Sequence, residues 1–487
     1  MAHRTPPPDV EAHRLLQAGR AAEALPLARR AVAENLAWSP AHGLLATVLL
    51  HLGERDEAEA VIAQALASPP GTADAYDALA YVSLHLGQHE RANALYRRAV
   101  ERAPHEARFW YNLASSERSL GHLVEAETAC DRGIALDPGH YQSYLLRSEI
   151  RIYTDSHNHV DAMERLLADS AANDRARMFL GYALGKELDD LGRYDQAFRW
   201  YSEGAAARRR HLTYDIRTDE RKLARIMEVF SKAGLRTTSD DGDSARFIFI
   251  VGLPRSGTTL LERILTRLPG VTSNGETENF SKSLLSEASA FGPDVFARAA
   301  GADFARVGSR YAKLAGHSTS ARVIEKLPLN YLYLGAIRRA LPAATALLLV
   351  RDPIDSCFAM FRILFGEAYP FTYDFIELAR YYAAYCRLID HWRKVLGNWI
   401  SEVRYEDLVG QPARTGAGAA QACGLSWDHS AIDVHKARGV STTASASQIR
   451  RPIYQSSVGK WRHYRRHLTT MVDALKSCGV AVSEDDG

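Results

Sequence analysis

The sequence predicts a multidomain protein, an all-α solenoid of stacked helix pairs followed by an α/β domain built on a parallel sheet. Three observations carry that prediction. Gly19, Gly53, Gly87 and Gly121 recur every 34 residues, and strict self-similarity at such a period marks stacked supersecondary units. From Arg246 onward short apolar runs alternate with amphipathic helical stretches, the pattern of a doubly wound sheet. At the junction lies Phe247-Ile248-Phe249-Ile250-Val251-Gly252, then Leu253-Pro254-Arg255-Ser256-Gly257-Thr258-Thr259, a buried strand, a glycine-bounded turn and a helix start. A chain of 487 residues also exceeds what one core usually serves.

In the first half each glycine is followed five positions later by Ala24, Ala58, Ala92 or Ala126 and preceded by seven by Ala12, Ala46, Ala80 or Ala114. Pro70, Pro104 and Pro138 follow at seventeen. Small residues let two helices cross closely, glycine turns between them, and proline ends the unit. This resembles the tetratricopeptide pattern, clearest from Ala73 to Glu106. The unit starting at Tyr141 is degenerate, with Asp155 at the glycine position, and Gly192, Ala197, Tyr201 and Gly204 restore the pattern. The resemblance implies a repeat domain over 5–212 with a concave face for protein recognition or for a homodimer. Arg208-Arg209-Arg210 reads as a solvated helix end. A helix from Tyr214 to Lys232 and a linker rich in Ser and Asp complete 213–245.

In the second half, 246–487, the expected strands are Phe247–Val251, Arg322–Glu325, Ala346–Val350 and Trp399–Arg404. Ligands of such sheets bind beyond the carboxyl ends of the strands. The turn after the first strand has the geometry in which backbone N–H groups and a helix N-terminus meet a phosphate-like anion. Thr258 and Thr259 stand where a nucleoside-triphosphate loop carries Lys and then Ser or Thr, which disfavours a P-loop kinase. Residues Pro254 to Thr259 resemble the 5′-phosphosulfate loop of sulfotransferases that use 3′-phosphoadenosine-5′-phosphosulfate, PAPS. That resemblance makes Arg255, Ser256, Gly257, Thr258 and Thr259 donor-binding and makes the domain a P-loop-like sulfotransferase.

The other motifs fall in register with it. Arg351, in Val350-Arg351-Asp352-Pro353, resembles the family's ligand for the 3′-phosphate, a dianion suited to a guanidinium. Ala359 stands where many relatives carry a second phosphate-binding serine, with Ser356 a turn earlier as substitute. Tyr405 resembles a tyrosine that touches the nucleotide, and Lys326 a lysine that tyrosylprotein sulfotransferases place near the leaving oxygen. Ser445 and Lys460, fifteen residues apart with Trp461 following, resemble the tail that closes over the donor. Glu276, 21 residues after Arg255 and followed by Thr277, matches the catalytic glutamate. Two alternatives stand beside that role: Ser273-x-x-Glu276 is also a capping box, and Glu278 is a rival base.

Together the two halves resemble the bacterial tetratricopeptide-repeat sulfotransferases. The resemblance implies in-line transfer of a sulfuryl group from PAPS to a hydroxyl of a protein, glycan or small molecule. A repeat scaffold with a degenerate sulfotransferase domain is the other alternative. The formal net charge of +2 speaks against a nucleic-acid binder. No run reaches the length of a membrane span, so a cytoplasmic protein is expected. Five cysteines without a C-x-x-C pair suit reduced thiols. His463 and His467 have no third ligand nearby, so they read as surface decoration and no metal is expected.

Overall fold

The computed structural model describes residues 7–34, 39–67, 70–169, 173–231, 243–316, 322–436 and 451–482. Two compact units divide at Asn158/His159. In the first, the described helices are α1 (Pro8–Gln17), α2 (Ala21–Glu34), α3 (Ser39–Leu52), α4 (Arg55–Ala67), α5 (Ala73–His85), α6 (His89–Arg102), α7 (Ala107–Leu120), α8 (Leu123–Leu136) and the short α9 (Tyr141–Ser148). The spacing has a direct physical cause. Gly19, Gly53, Gly87 and Gly121 adopt φ of 73°, 83°, 83° and 90° between paired helices, a left-handed turn that costs other residues strain. All eight predicted alanines are fully buried where the helices cross. The degenerate repeat is where the pattern stops: α9 is followed by a turn closed by an isolated Thr154–His157 bridge.

The second unit opens with α10 (Val160–Asp169), α11 (Asp174–Asp190), α12 (Tyr194–Arg210) and α13 (Ile216–Val229). The α11–α12 pair keeps the repeat signature. A Cβ on Gly181 would lie 2.9 Å from the Trp200 carbonyl oxygen, and one on Gly185 2.6 Å from the Tyr201 ring. These helices, placed with the repeats by spacing, fold in the second unit.

The sheet has the order β2-β3-β1-β4-β5 with every pairing parallel. Its strands are β1 (Phe247–Gly252), β2 (Val271–Ser273), β3 (Arg322–Glu325), β4 (Thr345–Val350) and β5 (Ile400–Arg404). The continuous burial of β1 is that of a central strand covered on both faces. The sequence pattern predicts four of these strands, and β2 is additional. The helices are α14 (Thr258–Leu265), α15 (Asn279–Ser286), α16 (Val295–Ala300), α17 (Phe304–Ala315), α18 (Leu334–Ala340), α19 (Pro353–Phe361), α20 (Phe375–Leu396), α21 (Tyr405–Gly410), α22 (Pro412–Ala422) and α23 (Thr469–Ser477). From β1 the chain crosses to β2 and returns through β3, then continues to β4 on the other side. The carboxyl end of β1 is therefore the topological switch point, the place where such sheets bind ligands. Among the described residues no helix is long and apolar enough to cross a membrane.

One surface reading needs correction and a second holds only in part. Arg208 donates to the Gly366 carbonyl and Glu367, Arg209 to Glu377, and Arg210 to Asp174, so the arginine run is an ion-paired seam rather than a solvated helix end. His463 and His467 lie in a 3-10 segment, Lys460–His467, and stack on Tyr194 and Phe198 with ring centroids 4.4 and 4.5 Å apart. His463 stays exposed at the surface, as the sequence predicts, while His467 is half-buried against α12.

Candidate functional site

The turn after β1 is shaped to leave backbone donors open. Gly257 is the N-cap of α14 at φ 98° and supplies no side-chain cap, so the first N–H groups of α14 have no intrahelical acceptors. A Cβ on Gly257 would meet Tyr405 Cδ2 at 2.6 Å, which explains both the glycine and the place of the tyrosine. Arg255 sits at φ 67°, an uncommon conformation that functional turns hold. The Ser256 hydroxyl donates inward to the Leu253 carbonyl at 2.7 Å. Thr258 and Thr259 are buried in the first helical turn. Burial holds the Arg255 guanidinium below its ordinary pKa; Tyr454 opposes the effect, and Arg362 and Arg351 add to it. Three arginines thus share one neighbourhood.

Arg351 leaves the end of β4 into this group. Its Nη1 donates to the Arg255 carbonyl at 2.9 Å and its Nη2 to the Ser457 carbonyl at 2.5 Å. The guanidinium stands 4.5 Å over the Tyr405 ring and 3.7 Å from Asp355 Oδ2. Its Nε is buried with no hydrogen-bond partner among the described residues. Ser356, buried beside it, donates to the Arg351 carbonyl at 3.4 Å, and Ala359 is buried in α19. Asp355 accepts from the backbone N–H of Gly459 at 2.6 Å, which fixes the segment carrying Lys460.

Glu276 and Lys326 come together on the other side of β1. Lys326, only 1% exposed, bonds the 44% exposed Glu276 through its Nζ and lies 3.8 Å from Glu262 Oε2. Glu262, on α14, accepts from the Ser273 hydroxyl at 2.5 Å; burial raises its pKa against the opposing charge of Lys326. The Lys326 N–H donates to the Gly275 carbonyl at 3.0 Å, extending the β2–β3 register and setting Glu276 opposite the lysine. The capping-box alternative fails because the Ser273 hydroxyl faces Glu262 and α15 starts only at Asn279. Glu278 is 67% exposed and faces Lys282 at 3.6 Å. The neighbouring Glu325 is fully buried, with Asn330 donating to it at 3.0 Å, and burial pushes its carboxyl up to about 7.

Lys460 stands with the arginines, its Nζ bonded to Asp189 of α11. Arg362 Nη1 donates to the same carboxylate at 3.1 Å, and the Tyr464 hydroxyl bonds its other oxygen. Sequence reasoning missed Asp189, Arg362, Asp355 and Glu262. Arg362, just past the end of α19, carries the one local hint, a cation at a helix C-terminus. Ser445 lies outside the described residues. Among the described residues no three His, Cys, Asp or Glu are grouped to hold a metal ion.

The family model described as "Sulfotransferase family" matches residues 247–429, and two tetratricopeptide-repeat models match 15–80 and 78–141. An uncharacterized protein of Aquifex aeolicus (strain VF5) is 28% identical over 390 residues, covering 74% of this chain and 49% of its own length. The chain therefore spans about half of that relative. The sulfotransferase domain of the Synechococcus PCC 7002 olefin synthase aligns at 19% identity and TM-score 0.37, covering 51% of this chain and 100% of that one. A sulfotransferase domain from the curacin biosynthetic pathway aligns at 17% and 0.36, covering 48% and 98%. The chain thus joins stretches that match tetratricopeptide-repeat models to a domain that matches the sulfotransferase family model, whose strands end at the loop, Arg351 and the Glu276–Lys326 pair.

Proposed function

We propose that the chain transfers a sulfuryl group from PAPS to an acceptor hydroxyl of a protein, glycan or small molecule. The observation that carries this reading is the set of cations and open N–H donors at the end of β1, with a carboxylate held by a lysine beside it. The residues fit the donor: a buried Arg351 Nε with no hydrogen-bond partner among the described residues, and a loop whose Gly257 lies too close to the Tyr405 ring to carry a Cβ. The uncapped start of α14 and Arg255 hold the 5′-phosphosulfate. Ser256 shapes the turn, Thr258 and Thr259 offer their N–H groups, and Tyr405 backs the loop. Arg351 holds the 3′-phosphate, with Ser356 supporting its carbonyl.

In the transfer, the acceptor oxygen attacks sulfur, its proton passes to Glu276, and the bond from sulfur to the bridging phosphate oxygen breaks. Lys326 and Lys460 neutralise the charge developing on that oxygen, the form of electrostatic stabilisation with the greatest usual effect. Ser445 joins Lys460 over the donor in this reading. The test is a thermal-shift comparison of PAPS and PAP with magnesium-ATP and magnesium-ADP, since a ligand that binds the native state raises its stability. Stabilisation by PAP and PAPS but not by ATP or ADP is expected; stabilisation by magnesium-ATP alone would return the kinase reading. The repeats are assigned to recruiting the acceptor or a second copy of the chain. Removal of the repeats of the first unit, up to Asn158, should spare PAP binding and lower turnover on the natural acceptor, and undiminished turnover would refute that role.

A further inference from the structure

Asp189 lies in an expensive place. It is 5% exposed in the last turn of α11, a turn that carries no basic residue, where both burial and the helix dipole disfavour a carboxylate. Its acidic neighbours are engaged elsewhere: Glu187 accepts from His159, and Asp190 faces Lys186 at 2.6 Å. The Asp189 carboxylate bonds Lys460, Arg362 and Tyr464. Burial raises its pKa, yet Arg362 and Lys460 more than reverse that and leave it below its ordinary value. One carboxylate thus bonds both Lys460 and Arg362 and holds the two cations side by side.

The corner is tied to the donor loop at two points. Arg362 is near enough to Arg255 to depress its pKa. Gly459, preceding Lys460, is pinned by Asp355, which itself faces Arg351. We propose that Asp189 is a positioning residue for sulfuryl transfer, holding the Lys460 ammonium at the donor loop from a helix outside the matched sulfotransferase domain. The proposal rests on the PAPS reading above and adds to it the residue that aims the lysine.

The sign of the effect follows from the charges around Lys460. Asp189 and Asp190 on α11, Arg362 at the end of α19, Tyr201 on α12 and Tyr464 on its own segment face this corner. Burial and then Arg362 lower the Lys460 pKa, while Asp189 raises it. Removing the Asp189 charge therefore lowers it further.

The test uses the full chain, with PAP release from PAPS in the presence of p-nitrophenol, and PAP affinity by calorimetry across pH. Asp189→Asn should lower kcat about tenfold or more while donor KM and PAP Kd at neutral pH stay within about threefold, the split expected of an interaction made in the transition state. The alkaline limb of both kcat and PAP binding should move to lower pH, and Asp189→Glu should move it back. A folded Asp189→Asn protein with wild-type kcat and an unmoved limb overturns the proposal. Should Asp189→Asn not fold, Asp189→Asn/Lys460→Met, in which an acid and a base are removed together, decides the matter. Activity equal to Lys460→Met alone supports action through the lysine, and a further loss of about tenfold shows an independent role and overturns it. A wild-type protein that neither binds PAP nor cleaves PAPS removes the sulfotransferase reading, whereas an active wild type with an indifferent Asp189→Asn removes this inference alone.

Discussion

Glu276→Gln is the perturbation that separates chemistry from binding at this site. A positioned general base supplies roughly a hundred- to ten-thousand-fold in rate, or about 2.7–5.5 kcal/mol at about 1.36 kcal/mol per factor of ten. Gln keeps the size of the side chain and can still accept a hydrogen bond from Lys326, so the lost quantity is the proton acceptor. The stability cost is small for two structural reasons. Glu276 is 44% exposed, and the buried Lys326 retains Glu262 at 3.8 Å, so the substitution leaves no buried charge without a counter-charge. Single-turnover PAP formation from PAPS, with PAP affinity by calorimetry and melting temperature measured on the same protein, checks each part. A steep fall in turnover with affinity and melting temperature nearly unchanged is expected. Glu278→Gln should behave as wild type, because that carboxylate is 67% exposed and faces Lys282. Near-normal turnover in Glu276→Gln beside an inactive Glu278→Gln would refute the reasoning and transfer the role.

Three further outcomes are expected. Arg351→Ala should weaken PAP binding by about 1.5–3 kcal/mol, the usual worth of hydrogen bonds to a charged group, and an analogue without the 3′-phosphate should then lose little more; independent losses by calorimetry would remove the assignment. Gly257→Ala forces a left-handed alanine at about 1–2 kcal/mol, before the 2.6 Å approach of its Cβ to Tyr405 Cδ2, and should lower both melting temperature and PAP affinity; no change in either would contradict the loop geometry. Glu325 has a folded pKa raised from 4.5 to about 7 by burial, so its contribution to stability is complete below the unfolded value and is lost as pH rises through the folded one. Glu325→Gln should therefore gain stability relative to wild type between pH ~5 and ~8, by up to about 3 kcal/mol, and a pH-independent difference in urea unfolding would count against it.

What the sequence made legible was what a few neighbouring residues enforce. The repeat glycines occupy left-handed turns and the repeat alanines fill fully buried crossings, so their spacing is itself a steric requirement. The β1 turn could be read because strand, glycines and helix start are contiguous. Strand β2 escaped because only Val271 of its three residues is buried; it exists through its register with β3. Charge was the least legible property. A run of arginines looks the same whether water or Glu367, Glu377 and Asp174 face it, and here the partners of Arg208 and Arg209 lie more than 150 positions away. Asp189 and Lys460 are 271 residues apart, and no spacing rule joins a repeat-like helix to a C-terminal lysine. A division placed by repeat spacing at 212 would put Asp189 in one piece and Lys460 in the other. Arg362 and Lys460 would then face each other across the donor corner without the carboxylate between them, a like-charge contact that pushes the lysine toward its neutral form. The boundary at Asn158/His159 keeps all three groups in one unit, and on this reading the α11–α12 pair belongs with the chemistry although its glycines and alanines follow the repeat.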